Sequence, residues 1–214
     1  MLRVFSVTCS LNALLIGKSK LDQQHFLKFA CLFEAGLAGL AMGIGWLVDV
    51  DPLQDLQFTE LGIFNGLLLT LPLLLLFFLL QQLPYPALQS IRRLLQTTLA
   101  QPLINANWAD LFILASIAGF SEELLFRGLI QTGLESIWGF ELGLILSSIV
   151  FALLHAVTPL YGVLAFLMSC YLGLAFDYAG ERNLLLPVVT HALYDFVVFW
   201  VIIAQARSDI KGSK

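Results

Sequence analysis

The run LGIFNGLLLTLPLLLLFFLLQQ, residues 61–82, contains no charged side chain. A helix needs about 20 apolar residues to cross the hydrocarbon core of a bilayer. Within that core every backbone N–H and C=O must be satisfied internally, so a spanning segment of this kind is helical. Further apolar runs lie at about 26–48, 109–137, 140–157, 160–178 and 184–205. The expectation is an all-α, polytopic transmembrane helical bundle of about six spans. Composition agrees, with 59% hydrophobic and 12% charged residues, where soluble domains carry about a quarter charged. A soluble protein of this size could not cover its surface with so few charges. The formal net charge of −4 carries no basic signature, so no nucleic-acid partner is expected. Cys9, Cys31 and Cys170 are isolated from one another, which gives neither a disulfide nor a zinc framework.

Between the second and third runs, PALQSIRRLLQTTL (residues 86–99) places leucine and isoleucine at helical spacing opposite Gln89, Arg92, Arg93 and Gln96. This pattern predicts an amphipathic interfacial helix. Six spans put both termini on one side. Arg3, Lys18, Lys20, Lys28, Arg92, Arg93, Arg207, Lys211 and Lys214 fall on that side, whereas the first connection carries Asp49, Asp51, Asp55 and Glu60 with no Lys or Arg. The positive-inside rule then makes both termini cytoplasmic. Trp46 and Trp138 fall at predicted outer ends, and Trp108 and Trp200 toward inner ends, as an interfacial belt would place them. No small-residue cleavage site is clear near the start. The chain therefore divides into an N-terminal extension (1–25), two spans with their amphipathic connection (26–104), a core (105–205) and a cytoplasmic tail (206–214).

Ionisable residues inside spans are costly and need a reason. Here they are Glu34, Glu122, Glu123, Arg127, His155, His191 and Asp195. Arg127 follows Glu123 by four residues, so the two share a helix face and can pair. Glu122 points about 100° away from Glu123 and is the carboxylate less neutralised by Arg127. His191 and Asp195 are also four apart. Glu123 lies 16 residues before Gly139 and His155 lies 16 after it, so a hairpin with its tip there puts both about 24 Å below the tip. His191 and Asp195, 11 and 15 residues beyond Gly180, fall about 16–23 Å below the outer side. All four elements can converge in the cytoplasmic half of the membrane.

Glu122-Glu123-x-x-x-Arg127, Phe151-x-x-x-His155 and His191-x-x-x-Asp195 resemble, in this order, the motifs of the CAAX-protease and bacteriocin-processing family, also called CPBP or Abi. The resemblance covers about residues 105–205, which makes that core CPBP-like. It implies an intramembrane endopeptidase acting on membrane-associated proteins or peptides, in a bacterial-type plasma membrane. It further implies Glu122 as general base, His155 as holder of the attacking water, and His191 and Asp195 beside the oxyanion. Glu123, Arg127 and Phe151 would be supporting residues. Many members of the family carry Asn where this chain has Asp195, and an ionised Asp only accepts hydrogen bonds.

A carboxylate with two histidines provides both a base and donors for peptide hydrolysis. The same set, Glu122, His155 and His191, would suit Zn2+, although no HExxH is present. A glutamate-activated water without a cofactor is the expected mechanism, with zinc as the alternative. Two other functions are compatible with the chain. One is a non-catalytic membrane scaffold or partner protein, which the Asp195 departure keeps open. The other is a small proton-coupled transporter, against which stands the lack of paired Gly/Pro-broken half-helices. The oligomeric state is left open.

Overall fold

The structure, a computed structural model, describes residues 20–212. Most of the N-terminal extension and the last two residues of the tail lie outside the described residues. Among those described, all regular structure is helical. Helix α1 spans Lys20–Val48, α2 Glu60–Gln82, α3 Pro86–Leu95, α4 Trp108–Glu123, α5 Thr132–Trp138, α6 Phe140–His155, α7 Pro159–Phe176 and α8 Leu185–Gly212. Four of these helices, over Gln23–Val48, Glu60–Gln82, Pro159–Phe176 and Leu185–Ile210, are long and apolar enough to cross a membrane, and Phe140–His155 is a shorter apolar helix. The chain is an integral membrane protein. Trp46, Trp108, Trp138 and Trp200 are all exposed.

The apolar run at 109–137 is not one regular α-helix. Residues Leu124–Gln131 form a π-helical stretch between α4 and α5. Such wide turns have i→i+5 hydrogen bonding and often mark functional sites. The α1–α2 connection leans on this stretch, because a Cβ on Gly128 would overlap the Pro52 carbonyl. Helix starts are set locally. Thr59 caps α2, Asn107 and Asp110 form a capping box at α4, and Thr158 with Pro159 opens α7. The expected hairpin tips at Gly139 and Gly180 both have positive φ, 81° and 79°, which glycine adopts without steric cost.

Two sequence boundaries shift. Helix α1 begins at Lys20, inside the expected extension, and α8 continues to Gly212 rather than ending at 205. The amphipathic connection forms α3 with Leu88 and Ile91 buried. Its Arg92 turns back onto the bundle and donates to the carbonyls of Leu80, Gln81 and Leu83. It thereby satisfies carbonyls at the C-terminal end of α2 that have no partner within the helix.

Helix α8 is central and packs on α4 and α2, while α1 packs on α4 and on the wide turn. At the opposite end from α3, Arg182 gathers acids from three separate segments. It lies 2.5 Å from Glu135, 3.3 Å from Asp55 and 3.8 Å from Asp177. Asp177, just past the end of α7, is the weakest of the three partners. Burial pushes its carboxyl above the usual range, Arg182 opposes this, and Glu135 and Asp55 add to the push. A carboxyl raised in the folded state contributes most below its unfolded pKa, and the contribution disappears as pH rises through the folded value. Asp177→Asn is therefore expected to raise Tm in detergent at neutral pH and to leave it unchanged below about pH 3.5. Parallel Tm curves for the two proteins across that range would contradict this account.

Candidate active site

Three helices bring the ionisable residues together. Glu122 and Glu123 close α4, His155 closes α6, and His191 and Asp195 lie in the first half of α8. The approach of α4 to α8 is backbone to backbone. A Cβ on Gly119 would stand 2.7 Å from the Ala192 nitrogen, one turn before Glu122 and next to His191. Only a glycine permits this crossing distance.

The expected Glu123–Arg127 pair forms, with Arg127 Nη1 donating to Glu123 Oε1 at 2.9 Å. Its Nη2 donates to the Ser169 carbonyl at 2.7 Å and to Ser169 Oγ at 3.0 Å on α7. Arg127 is 1% exposed and Glu123 0%. The same Glu123 oxygen takes a second hydrogen bond, from His191 Nδ1 at 2.7 Å. His155 Nδ1 lies 2.8 Å from the Phe151 carbonyl. A carboxylate and a carbonyl can only accept, so each histidine carries its proton on Nδ1 in these bonds.

That assignment leaves both Nε2 atoms facing Glu122. Glu122 Oε2 stands 3.6 Å from His155 Nε2 and 4.0 Å from His191 Nε2, and it has no hydrogen-bond partner in the protein. These separations are too long for direct hydrogen bonds and suit a bridging water. With neutral histidines, all three atoms are acceptors. A water has two protons to give, so it can bond to Glu122 and one imidazole while its lone pairs stay free. Asp195 Oδ2 lies 3.6 Å from His191 Nε2.

Phe151 holds the group from the side. Its ring stacks on His155 at 4.1 Å, meets His191 at 6.3 Å, and has the Arg127 guanidinium 5.3 Å from its centroid. All seven residues singled out in the three motifs are thus in one place. A set of His, His and carboxylate is chemically suited to zinc, but among the described residues no group of three or more His, Cys, Asp or Glu is spaced to hold a metal ion.

Glu122, His155, His191 and Asp195 form one end of a largely apolar cavity of about 410 Å3. Leu73 and Phe77 of α2, Leu88 and Ile91 of α3, and Tyr161 of α7 line it with them. Two site residues escape the sequence motifs. Tyr161 adds a hydroxyl near Asp195 and Glu122, whose charges both act on it. Glu34 of α1 is fully buried and feels Glu122, Asp195 and His191. Its burial in an apolar run was the one available signal.

Residues 104–197 match the family model described as type II CAAX prenyl endopeptidase Rce1-like. This segment, less than half of the chain, is similar to that family. The match encloses every motif residue from Glu122 to Asp195. Glu34 and the first two long helices lie outside the Rce1-like segment. No curated protein and no solved structure matches the chain.

The Gly119 crossing yields a test of how tightly the site is positioned. Gly119→Ala must move α8 by several tenths of an ångström. The variant is expected to lose about 1–3 kcal/mol of stability, read as a lower Tm in detergent, while it stays helical by circular dichroism. An unchanged Tm would show that α4 and α8 tolerate displacement.

Proposed function

We propose that this protein is an intramembrane endopeptidase that hydrolyses peptide bonds of membrane-associated proteins or peptides with a water activated by Glu122. The observation that carries this reading is the convergence of Glu122 Oε2, His155 Nε2 and His191 Nε2 from three helices of the Rce1-like segment. The description of that family, a CAAX prenyl endopeptidase, supports a substrate presented at the membrane. The apolar cavity beside the three atoms supports it as well.

The membrane arrangement that goes with this reading has six spans. They are α1, α2, the composite segment from Trp108 to Trp138, α6, α7 and α8, with both termini cytoplasmic. The composite segment is as long as its neighbours but is interrupted by the wide turn, and α6 is short. Nine basic residues on one side support the orientation.

In this mechanism the water donates to Glu122 and to one imidazole. Its oxygen attacks the peptide carbonyl carbon as Glu122 takes the proton. The carbonyl oxygen then carries the negative charge. Collapse of the tetrahedral species breaks the C–N bond, and Glu122 returns the proton to the leaving nitrogen. The oxyanion needs donors, which contribute most in a site without competing water. An ionised Asp195 cannot donate. Its place near His191 Nε2 suits a carboxylate that orients the imidazole and stabilises a proton on it. The hydroxyl of Tyr161 is a neutral donor on the cavity wall. No step requires Glu123 or Arg127 to react, so their role is to hold His191 and the wide turn.

A second reading is a non-catalytic scaffold, favoured by Asp195 in the position where Asn is common among the family's members. Cleavage assays with a membrane-tethered peptide separate the two. Glu122→Gln preserves shape and is expected to lower turnover by about 10²–10⁴-fold, without loss of folded protein. Undiminished turnover would sink the mechanism, and no turnover by the unmodified protein on any of a library of substrates would favour the scaffold. Asp195→Asn is expected to retain cleavage, because an amide can donate at every pH. Tyr161→Phe is expected to reduce it about 100-fold. The reverse pattern in these two variants would move the oxyanion contact from Tyr161 to Asp195.

A further inference from the structure

The end of the cavity away from Glu122 carries a cation that no acid accompanies. Arg92 of α3 lines the cavity there together with Gln81 of α2. Its bonds go to the carbonyls of Leu80, Gln81 and Leu83, through Nη1 and Nη2, and Nε takes part in none of them. The ion pairs among the described residues are made by Arg127, Arg182, His155 and His191, so the Arg92 charge is met by carbonyl dipoles alone. A guanidinium presents its donors as a fork that fits a carboxylate. The Gln81 amide adds N–H donors on the same wall and has no partner among the described residues. Helices α2 and α8 run in the same direction here. Thr190 donates to the Gly66 carbonyl at 3.0 Å, and further on Phe77 meets Tyr194 at 6.4 Å between ring centroids. The lining runs from Pro72 to Gln81 on α2 and from His191 to Phe199 on α8, a length of about 12–14 Å along each. Between the site and Arg92 the wall is made of Leu76, Phe77, Leu80, Leu88, Ile91 and Val198, whose side chains offer no hydrogen bond. Tyr171 and Thr98 have already donated their hydroxyl protons to the carbonyls of Leu69 and Leu94.

A peptide backbone laid along this stretch would leave its N–H and C=O groups without partners, at a cost for each. Hydrocarbon has no such groups and gains from the apolar wall. An anion suits the Arg92 end, whereas Glu122 and Asp195 at the other end disfavour one, so charge fixes the direction of an occupant. The volume of about 410 Å3 lies in the range of small-molecule pockets. We propose that the cavity binds a fatty acid, with its carboxylate on Arg92 and Gln81 and its single hydrocarbon chain running toward Glu122, His155 and His191. The chain then ends where the attacking water would stand and keeps a peptide out. No bond is made or broken in this step. Binding of the fatty acid does not rest on the peptidase reading, and only the exclusion of a peptide substrate does.

The test is equilibrium binding of radiolabelled decanoate to the full chain in phosphatidylcholine nanodiscs, with binding to empty nanodiscs subtracted. Saturable binding is expected, and unlabelled decanol should compete about 10-fold less well than unlabelled decanoate, since it lacks the charged head. Arg92→Gln is expected to weaken decanoate binding about 10- to 100-fold. Gln81→Glu puts an acid beside Arg92 at a side chain with no bond to lose, and it is expected to weaken binding by about 10-fold or more in a folded protein. This second variant decides if Arg92→Gln does not fold. Decanol that competes as well as decanoate overturns the proposal, as does decanoate binding that is unmoved in the folded variants. Trileucine with a free carboxylate that binds through Arg92 where decanoate does not bind overturns it in favour of a peptide terminus. If the unmodified protein cleaves peptides, decanoate is expected to raise KM and leave kcat unchanged, and an unmoved KM at saturating decanoate overturns the placement of the chain beside Glu122. Saturable, Arg92-dependent binding without any cleavage would uphold the fatty-acid site and count against the peptidase reading alone.

Discussion

One carboxylate oxygen, Glu123 Oε1, joins three parts of the bundle. It receives Arg127 from the wide turn and His191 from α8, and Arg127 carries the connection on to Ser169 of α7. In a bilayer, apolar side chains gain little by choosing a neighbouring helix over lipid, so polar contacts and close packing have to set the register. The buried guanidinium fixes this contact, since breaking such a pair by removing one partner costs about 3–5 kcal/mol. Glu123 therefore constrains Glu122 by constraining its surroundings. With His191 held at Nδ1, its other nitrogen can only face the cavity, and the neighbouring glutamate is left without a bond.

Much of this was legible in the sequence because both governing signals are local. Run length gave the long helices to within a few residues. The four-residue spacing gave the Glu123–Arg127 pair, and hairpin depth brought His155 and His191 to the same level. What was not legible depends on packing between distant segments. The wide turn at 124–131 has the composition of an ordinary apolar helix, and its π geometry follows from contacts with α1, α6 and the Pro52 loop. Glu34 was visible as an isolated buried acid, but no periodicity links it to a residue so far along the chain. Arg182 carries no spacing signal, and the acids that surround it come from the first connection, from α5 and from just past α7. Asp195 was visible as the partner of His191 at four-residue spacing, and the structure puts the two 3.6 Å apart.

The cavity divides labour among the helices. The three motif-bearing helices bring Glu122, His155, His191 and Asp195 to it, and α1, α2, α3 and α7 add most of its apolar lining. Arg92 holds the end of α2 against α3, so a cation on an amphipathic helix fixes a wall of the chamber.

The wide turn has a consequence for how the gene can vary. A π-helical stretch accommodates more chain per turn than an α-helix. Losing one residue between Leu124 and Gln131 could tighten it to ordinary α geometry. The helix beyond would keep nearly the same rotation relative to α4, because the wide turn holds its extra residue within the same rotation, and the loss would fall on the turn's own contacts, the approach of Gly128 to Pro52 and the bonds of Arg127 to Ser169. Replacement of a leucine in this stretch by another apolar residue changes little by comparison. Single-residue insertions and deletions here should therefore be far rarer among functional variants than substitutions, which makes the length of this segment as strict a requirement as the identity of its charged residues.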